Sequence, residues 1–259
     1  MTAKTSMLTL ALLLGSLTGC SGAHTQKAEP RPVEELSATL ISPTDIVLEW
    51  RAHDRDAAGR VLEFATDRQG PYTPLEFLPS RKTSFTHPDL LPNTPFYYRL
   101  RALYGPASEP IKVTLPKGSF NEKAQRGDHD WTAPTTAPGR PTATASIAEG
   151  AAAPTGLSAA VMHANGIRFQ WSDRATDEEG QLLEVKPTGS SEFKVVAVLD
   201  PDVNSFGLIT LPHEKQAWYR VRAFTYGPPS KVAHQKTRSA RFADEPSSAV
   251  STGTPGSPD

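Results

Sequence analysis

One thiol, two acidic loops and seven histidines are the residues of this chain whose types could do chemistry. The acidic loops, "AHDRDAAG" and "DRATDEEG", each follow a tryptophan. Asp54 and Asp56, or Asp173, Asp177, Glu178 and Glu179, are oxygen donors of the kind that hold Ca²⁺. Their spacing follows no calcium-loop pattern and arginines sit among them, so both are read as solvated loops and no metal site is expected. The histidines, among them His53, His87, His129 and His213, lack a paired H-x-x-x-H spacing. There is no glycine-rich phosphate loop and no G-x-S-x-G elbow. The sequence therefore predicts no catalytic residue, no cofactor and no enzyme. A single cysteine excludes an intramolecular disulfide and leaves a thiolate metal site without partners. A net charge of −1 with both signs interspersed offers no basic field to nucleic acid.

The thiol has a context of its own. Residues 1–19 hold one lysine, Lys4, then the apolar run 7–14, then small residues, which is the shape of a secretory signal. The run is far shorter than the ~20 residues a spanning helix needs. It ends in "LTGC", residues 17–20, which resembles the lipobox of bacterial lipoproteins. The resemblance implies cleavage between Gly19 and Cys20, a diacylglyceryl thioether on Cys20 and acylation, palmitate in type, of the new amine. A thiol suits this as the most nucleophilic side chain, and each buried methylene anchors by about 0.8 kcal/mol. Ser21, not Asp, follows the cysteine, which by the same resemblance implies retention in an outer membrane. The expected address is the bacterial cell envelope, with the lipid bilayer as partner of Cys20. Residues 20–32, polar with prolines, read as a tether of roughly 20 Å.

The elements that follow are written twice. "PFYYRLRALYGPAS", residues 95–108, returns as "AWYRVRAFTYGPPS", residues 217–230. A constant offset of 121, set by Trp50 and Trp171, holds without a gap from Leu36 to Ala102. The shared positions are mostly apolar residues of strand faces or turn glycines, so a sheet-forming unit was duplicated. Period-two alternation puts Tyr98 and Tyr219 on the inner faces of their strands, with Tyr97, Arg99 and Arg101, or Trp218, Arg220 and Arg222, outward. Each strand runs into Tyr-Gly-Pro, read as a reversal toward one more strand of the same unit. In the first unit that closing strand is "PIKVTL", with Ile111, Val113 and Leu115 inward. Trp50 and Trp171 are the expected core plugs, since burying an indole is worth about 4 to 6 kcal/mol.

About seven short strands per unit, bounded by turn residues, predict an all-β fold of two β-sandwiches. The marks of each unit resemble a fibronectin type III domain. In the first they are the proline-led start, Leu36, Ala38, Trp50, Leu90, Pro92, Thr94, "YYRLRA", Gly105 and Ser108. In the second they are Pro154, Leu157, Ala159, Trp171, Leu211, "WYRVRA", Gly227 and Ser230. The resemblance implies a tyrosine corner at the positions held here by Phe96 and Ala217, neither of which has a hydroxyl.

The expected organisation is a signal peptide at 1–19, a tether at 20–32, modules at 33–116 and 154–237, a Pro/Thr/Ala-rich disordered linker at 117–153 and a disordered tail at 238–259. The linker spans about 30 to 36 Å as a coil, so the modules need not touch. Its Arg126-Gly127-Asp128 is read as a chance tripeptide, and its Trp131 as packing on a module. If the modules bind anything, the expected surface is Tyr97, Arg99, Arg101, Trp218, Arg220 and Arg222, aromatic and guanidinium groups of the kind enriched at interfaces and able to stack on sugars. The expected function is a lipid-anchored, non-catalytic interaction, adhesion or spacer protein of the envelope. The alternative is a polysaccharide-binding accessory, so the partner is an envelope protein or a polysaccharide.

Overall fold

A computed structural model describes residues 35–51, 54–118, 130–137, 145–147, 152–211 and 214–239. The signal segment, Gly19, Cys20, the tether, the Arg-Gly-Asp tripeptide, His53, His129, His213 and residues 240–259 lie outside them.

In the first module the strands are β1 (Glu35–Leu40), β2 (Ile46–Arg51), β3 (Gly59–Ala65), β4 (Thr73–Pro79), β5 (Ser84–His87) and β6 (Pro95–Tyr104). After β7 (Ile111–Thr114) and a 3₁₀ turn at Asp130–Thr132 come β8 (Thr155–His163), β9 (Gly166–Ser172), β10 (Gly180–Pro187), β11 (Lys194–Leu199), β12 (Ser205–Ile209), β13 (Gln216–Pro229) and β14 (Ala233–Lys236). Two three-stranded sheets, β1-β2-β5 and β8-β9-β12, each face strands of one larger sheet ordered β4-β3-β6-β13-β10-β11. The first core lies between its layers around Trp50, Ile46, Leu48, Leu62, Tyr98 and Leu100. The second repeats it around Trp171, Ile167, Phe169, Leu183, Tyr219 and Val221. Trp50, Trp171, Tyr98 and Tyr219 are 5%, 0%, 0% and 2% exposed. Phe96 and Ala217, the hydroxyl-less corner positions, are buried beside them.

The closing strands correct the sequence reading, because they are exchanged. β7, which follows the first module, pairs with β13 of the second, and Val113 and Leu115 are buried in the second core. Reciprocally, β14 pairs with β6 of the first module. The Tyr-Gly-Pro segments therefore carry the chain across instead of turning it back. Gly105 makes the crossing possible: its φ is +139°, and a Cβ there would lie 2.0 Å from the Ala223 carbonyl oxygen. Two residues or so beyond each crossing, a serine locks the arriving chain to the other module. Ser108 N–H donates to Val221 O at 2.7 Å, and its Oγ accepts from Val221 N–H. Ser230 makes the same pair of bonds with Leu100.

Exchange replaces one closing strand by its equivalent, so the strand-to-module contacts change little. What it adds is a junction. β13 pairs directly with β6 through Thr225 and Tyr104, Tyr226 and Leu103, and Val61, Leu103, Leu182 and Phe224 form a buried cluster there. Val61 and Leu182, like Leu103 and Phe224, are repeat partners at the 121-residue offset. The expectation that the modules need not touch gives way to this shared core.

The linker is likewise ordered where it is described. Trp131 packs over Gly207, where a Cβ would meet the indole at 2.6 Å. Thr135 bridges Ser205 and Ala145 bridges Ala175, while Ile147 and Ala152 are buried. These segments gain an apolar surface to cover, which a free proline-rich coil lacks.

Candidate functional site

The outward residues of β6 and β13 were the candidate surface, and strand pairing decides which of them are free. Glu63 of β3 stands opposite Arg99, and Glu184 of β10 opposite Arg220. Directly opposed residues share a face and reach one another. Arg99 Nε lies 2.5 Å from Glu63 Oε2 and its guanidinium covers the Tyr72 ring at 4.3 Å. Arg220 pairs with Glu184 and covers Phe193 at 3.9 Å. Arg101 lies over Tyr226 at 4.2 Å and donates to the Gly227 carbonyl. Arg222 is only 8% exposed, shares Glu184 with Arg220 and donates to the Gly105 carbonyl at 2.6 Å. Burial pulls its guanidinium below the ordinary value, and Glu184 opposes that pull.

The arginines thus serve as clamps. They brace each sheet and, through Gly227 and Gly105, the two crossings. Tyr97 packs against His234 of the exchanged strand, with tilted rings and centroids 4.7 Å apart. Trp218 alone of the six is 38% exposed. It is flanked on its own face by Lys186 of β10 and Lys112 of β7, giving a Lys-Trp-Lys stripe across three strands. No sequence reading could find Lys112 here, since β7 arrives from the other module.

The acidic loops divide in the same way. Asp54 accepts from the Tyr104 hydroxyl and from Asp56 N–H. In the second loop Asp177 is occupied by the Ser146 hydroxyl and the Ile147 N–H, which hold its carboxyl below the usual range. Glu179 accepts from Tyr226 N–H. Asp173 and Glu178 instead converge with Asp202, each offering an oxygen within 4.8 Å of the others. Burial and then the Asp173 charge push Glu178 above its ordinary value. Asp202 lies 24 residues beyond Glu178. Its only sequence signal is the Pro201-Asp202 turn, where φ reaches +63°. Among the described histidines, His87 Nδ1 meets the Tyr98 hydroxyl at 3.1 Å, and His163 Nδ1 accepts from Asn165 N–H.

No protein-family model matches the chain, and no curated protein matches it. Solved structures do. A Fn3-like protein from Clostridium thermocellum is 28% identical over 26% of this chain and 70% of its own, with a TM-score of 0.24. A two-domain fibronectin type III segment of chicken tenascin is 17% identical over 78% of this chain and 98% of its own, with a TM-score of 0.25. The fn3 domain of human collagen alpha-1(XX) chain is 22% identical over 33% and 78%, with a TM-score of 0.27. The strand pairing itself defines the class: each module packs three strands on a sheet of three plus a closing strand, a fibronectin type III-like β-sandwich.

Proposed function

We propose that the chain is a lipid-anchored protein of a bacterial cell envelope, held at an outer membrane through Cys20, whose two-module body is a non-catalytic docking and spacing element. The address rests on "LTGC" with the only cysteine of the chain at its end. The docking role rests on one observation, the exposed Trp218 between Lys112 and Lys186. An indole with a lysine on each neighbouring strand suits a partner with an apolar contact and carboxylates around it. A polysaccharide with acidic sugars fits the same stripe, since indoles stack on sugar rings, and is the second reading.

Two measurements test the proposal. The intact mass of membrane-extracted chain is expected to begin at Cys20 with lipid added, and Cys20→Ser is expected to lose both cleavage and lipid; an unmodified secreted chain refutes the anchor. A photoreactive residue at 218 is then expected to crosslink a protease-sensitive envelope partner. A crosslink removed by glycanase instead selects the polysaccharide, and no crosslink at all refutes the docking face.

A further inference from the structure

The duplication lets one place in the fold be inspected twice. At the 121-residue offset, Asp173, Glu178, Gln181 and Asp202 stand where the first module has Ala52, Ala57, Arg60 and Arg81. In the first module Arg60 is fully buried. Its guanidinium ties two loops together, donating to the carbonyls of Asp54 at 3.4 Å and Ser80 at 2.5 Å. A cation carried by the chain fills the gap between the loop after β2 and the loop after β4.

The matching loops of the second module converge on carboxylates instead. Asp173, Glu178 and Asp202 lie within 4.8 Å, and Asp202 N–H donates to Glu178 Oε1. None of the three forms an ion pair with a lysine, arginine or histidine among the described residues. Gln181, fully buried, donates Nε2 to Asp173 Oδ1 at 3.0 Å, while its Oε1 is buried without a hydrogen-bond partner. A buried acceptor left unmatched is costly, and so is a trio of neighbouring carboxylates. A cation among the three carboxylates relieves their mutual repulsion. A half-turn of the Gln181 amide exchanges its two heteroatoms and presents Oε1 to an ion on Asp173.

We propose that Asp173, Glu178 and Asp202, with the Gln181 amide oxygen, bind a hard divalent cation of the Ca²⁺ type, which ties together in the second module the loops that Arg60 ties in the first. The donors are all oxygen, which favours Ca²⁺ over the softer transition metals. Ca²⁺ accepts about six to eight oxygens in irregular geometry. The chain supplies four, and the exposed side of Asp202 admits water for the rest. So open a site belongs to the weak class, with Kd about 10⁻⁴ to 10⁻³ M.

Calorimetric titration of the chelator-stripped full chain with CaCl₂ tests this. One saturable equivalent is expected, with a rise in melting temperature. Asp202→Asn at the exposed edge and Glu178→Gln are each expected to weaken binding by about tenfold or more, while Glu76→Gln, an exposed acid of the first module, leaves it unchanged. Absence of saturable binding overturns the proposal, as does binding that survives both variants. So do variants that melt higher than the parent with and without Ca²⁺ alike, which would mark the trio as repulsive only.

Discussion

Glu184 takes two guanidinium partners on one buried carboxylate. Its side chain is 7% exposed and serves both Arg220 and the buried Arg222. Removing one partner of a buried pair leaves an uncompensated charge, at about 3 to 5 kcal/mol. Glu184→Ala is therefore expected to destabilise by that amount in denaturant melts. Among the described residues its repeat partner Glu63 pairs with Arg99 alone, whose side chain is 28% exposed and can turn to water, so Glu63→Ala is expected to cost distinctly less. Equal losses would contradict the reading of Arg222 as a buried clamp. His87 gives the pH dependence. It sits among Phe64, Phe96 and Tyr98, and burial lowers its value below the ordinary 6.5. The unfolded chain then binds the proton first as pH falls. The stability from neutral His87 is complete above about pH 6.5 and drains away below it, down to the lowered folded value. Replacement by Phe is expected to flatten the melting temperature over that window; an unchanged slope would place the titration elsewhere.

At the scale of elements, much was legible and one thing was not. Alternation in "YYRLRA" and "WYRVRA", the core tryptophans and the turn glycines fix strands, faces and register, because these are local properties of side-chain period and backbone freedom. Which module receives a closing strand is not local. "PIKVTL" fits either core equally well, and the choice rests on the junction that exchange creates around Leu103 and Phe224. The same non-locality hid Asp202 and Lys112, whose partners are brought to them by topology, and it made the arginines look free. Cross-strand chemistry distinguishes the two closures. With exchange, Lys112 opposes Trp218 and His234 opposes Tyr97. Without it, the 121-residue offset would set Lys112 against Tyr97. Directly opposed residues lie about 4.5 to 5.5 Å apart at Cα, within disulfide range. In a Cys20→Ser background, Lys112→Cys with Trp218→Cys is expected to oxidise within one chain, and Lys112→Cys with Tyr97→Cys is expected not to. The reverse pattern would restore self-closed modules.

For the molecule as a whole, exchange couples what duplication made separate. The second core contains Val113 and Leu115 from the chain that leaves the first module, and the first sheet is closed by β14 from beyond the second. Neither module can lose its fold without releasing a strand of the other, and the junction cluster is lost with both. Two independent sandwiches would show two heat-absorption transitions, each moved by mutations in its own core. A strand-exchanged pair is expected to show one, with calorimetric and van't Hoff enthalpies equal. Trp50→Ala and Trp171→Ala probe this from opposite ends. Each removes a buried indole, at about 3 to 5 kcal/mol. For a body of this size a kcal/mol shifts the midpoint by about 2 to 4 °C, so either variant is expected to lower the single transition by on the order of 10 °C. A second transition left in place by Trp50→Ala would mean that the modules melt alone, and the crossings at Gly105 and Gly227 would then be joints and not ties. A single shifted transition for both would instead make the body a stiff presenter of Trp218, because the β7 that brings Lys112 beside that indole is the strand that couples the cores.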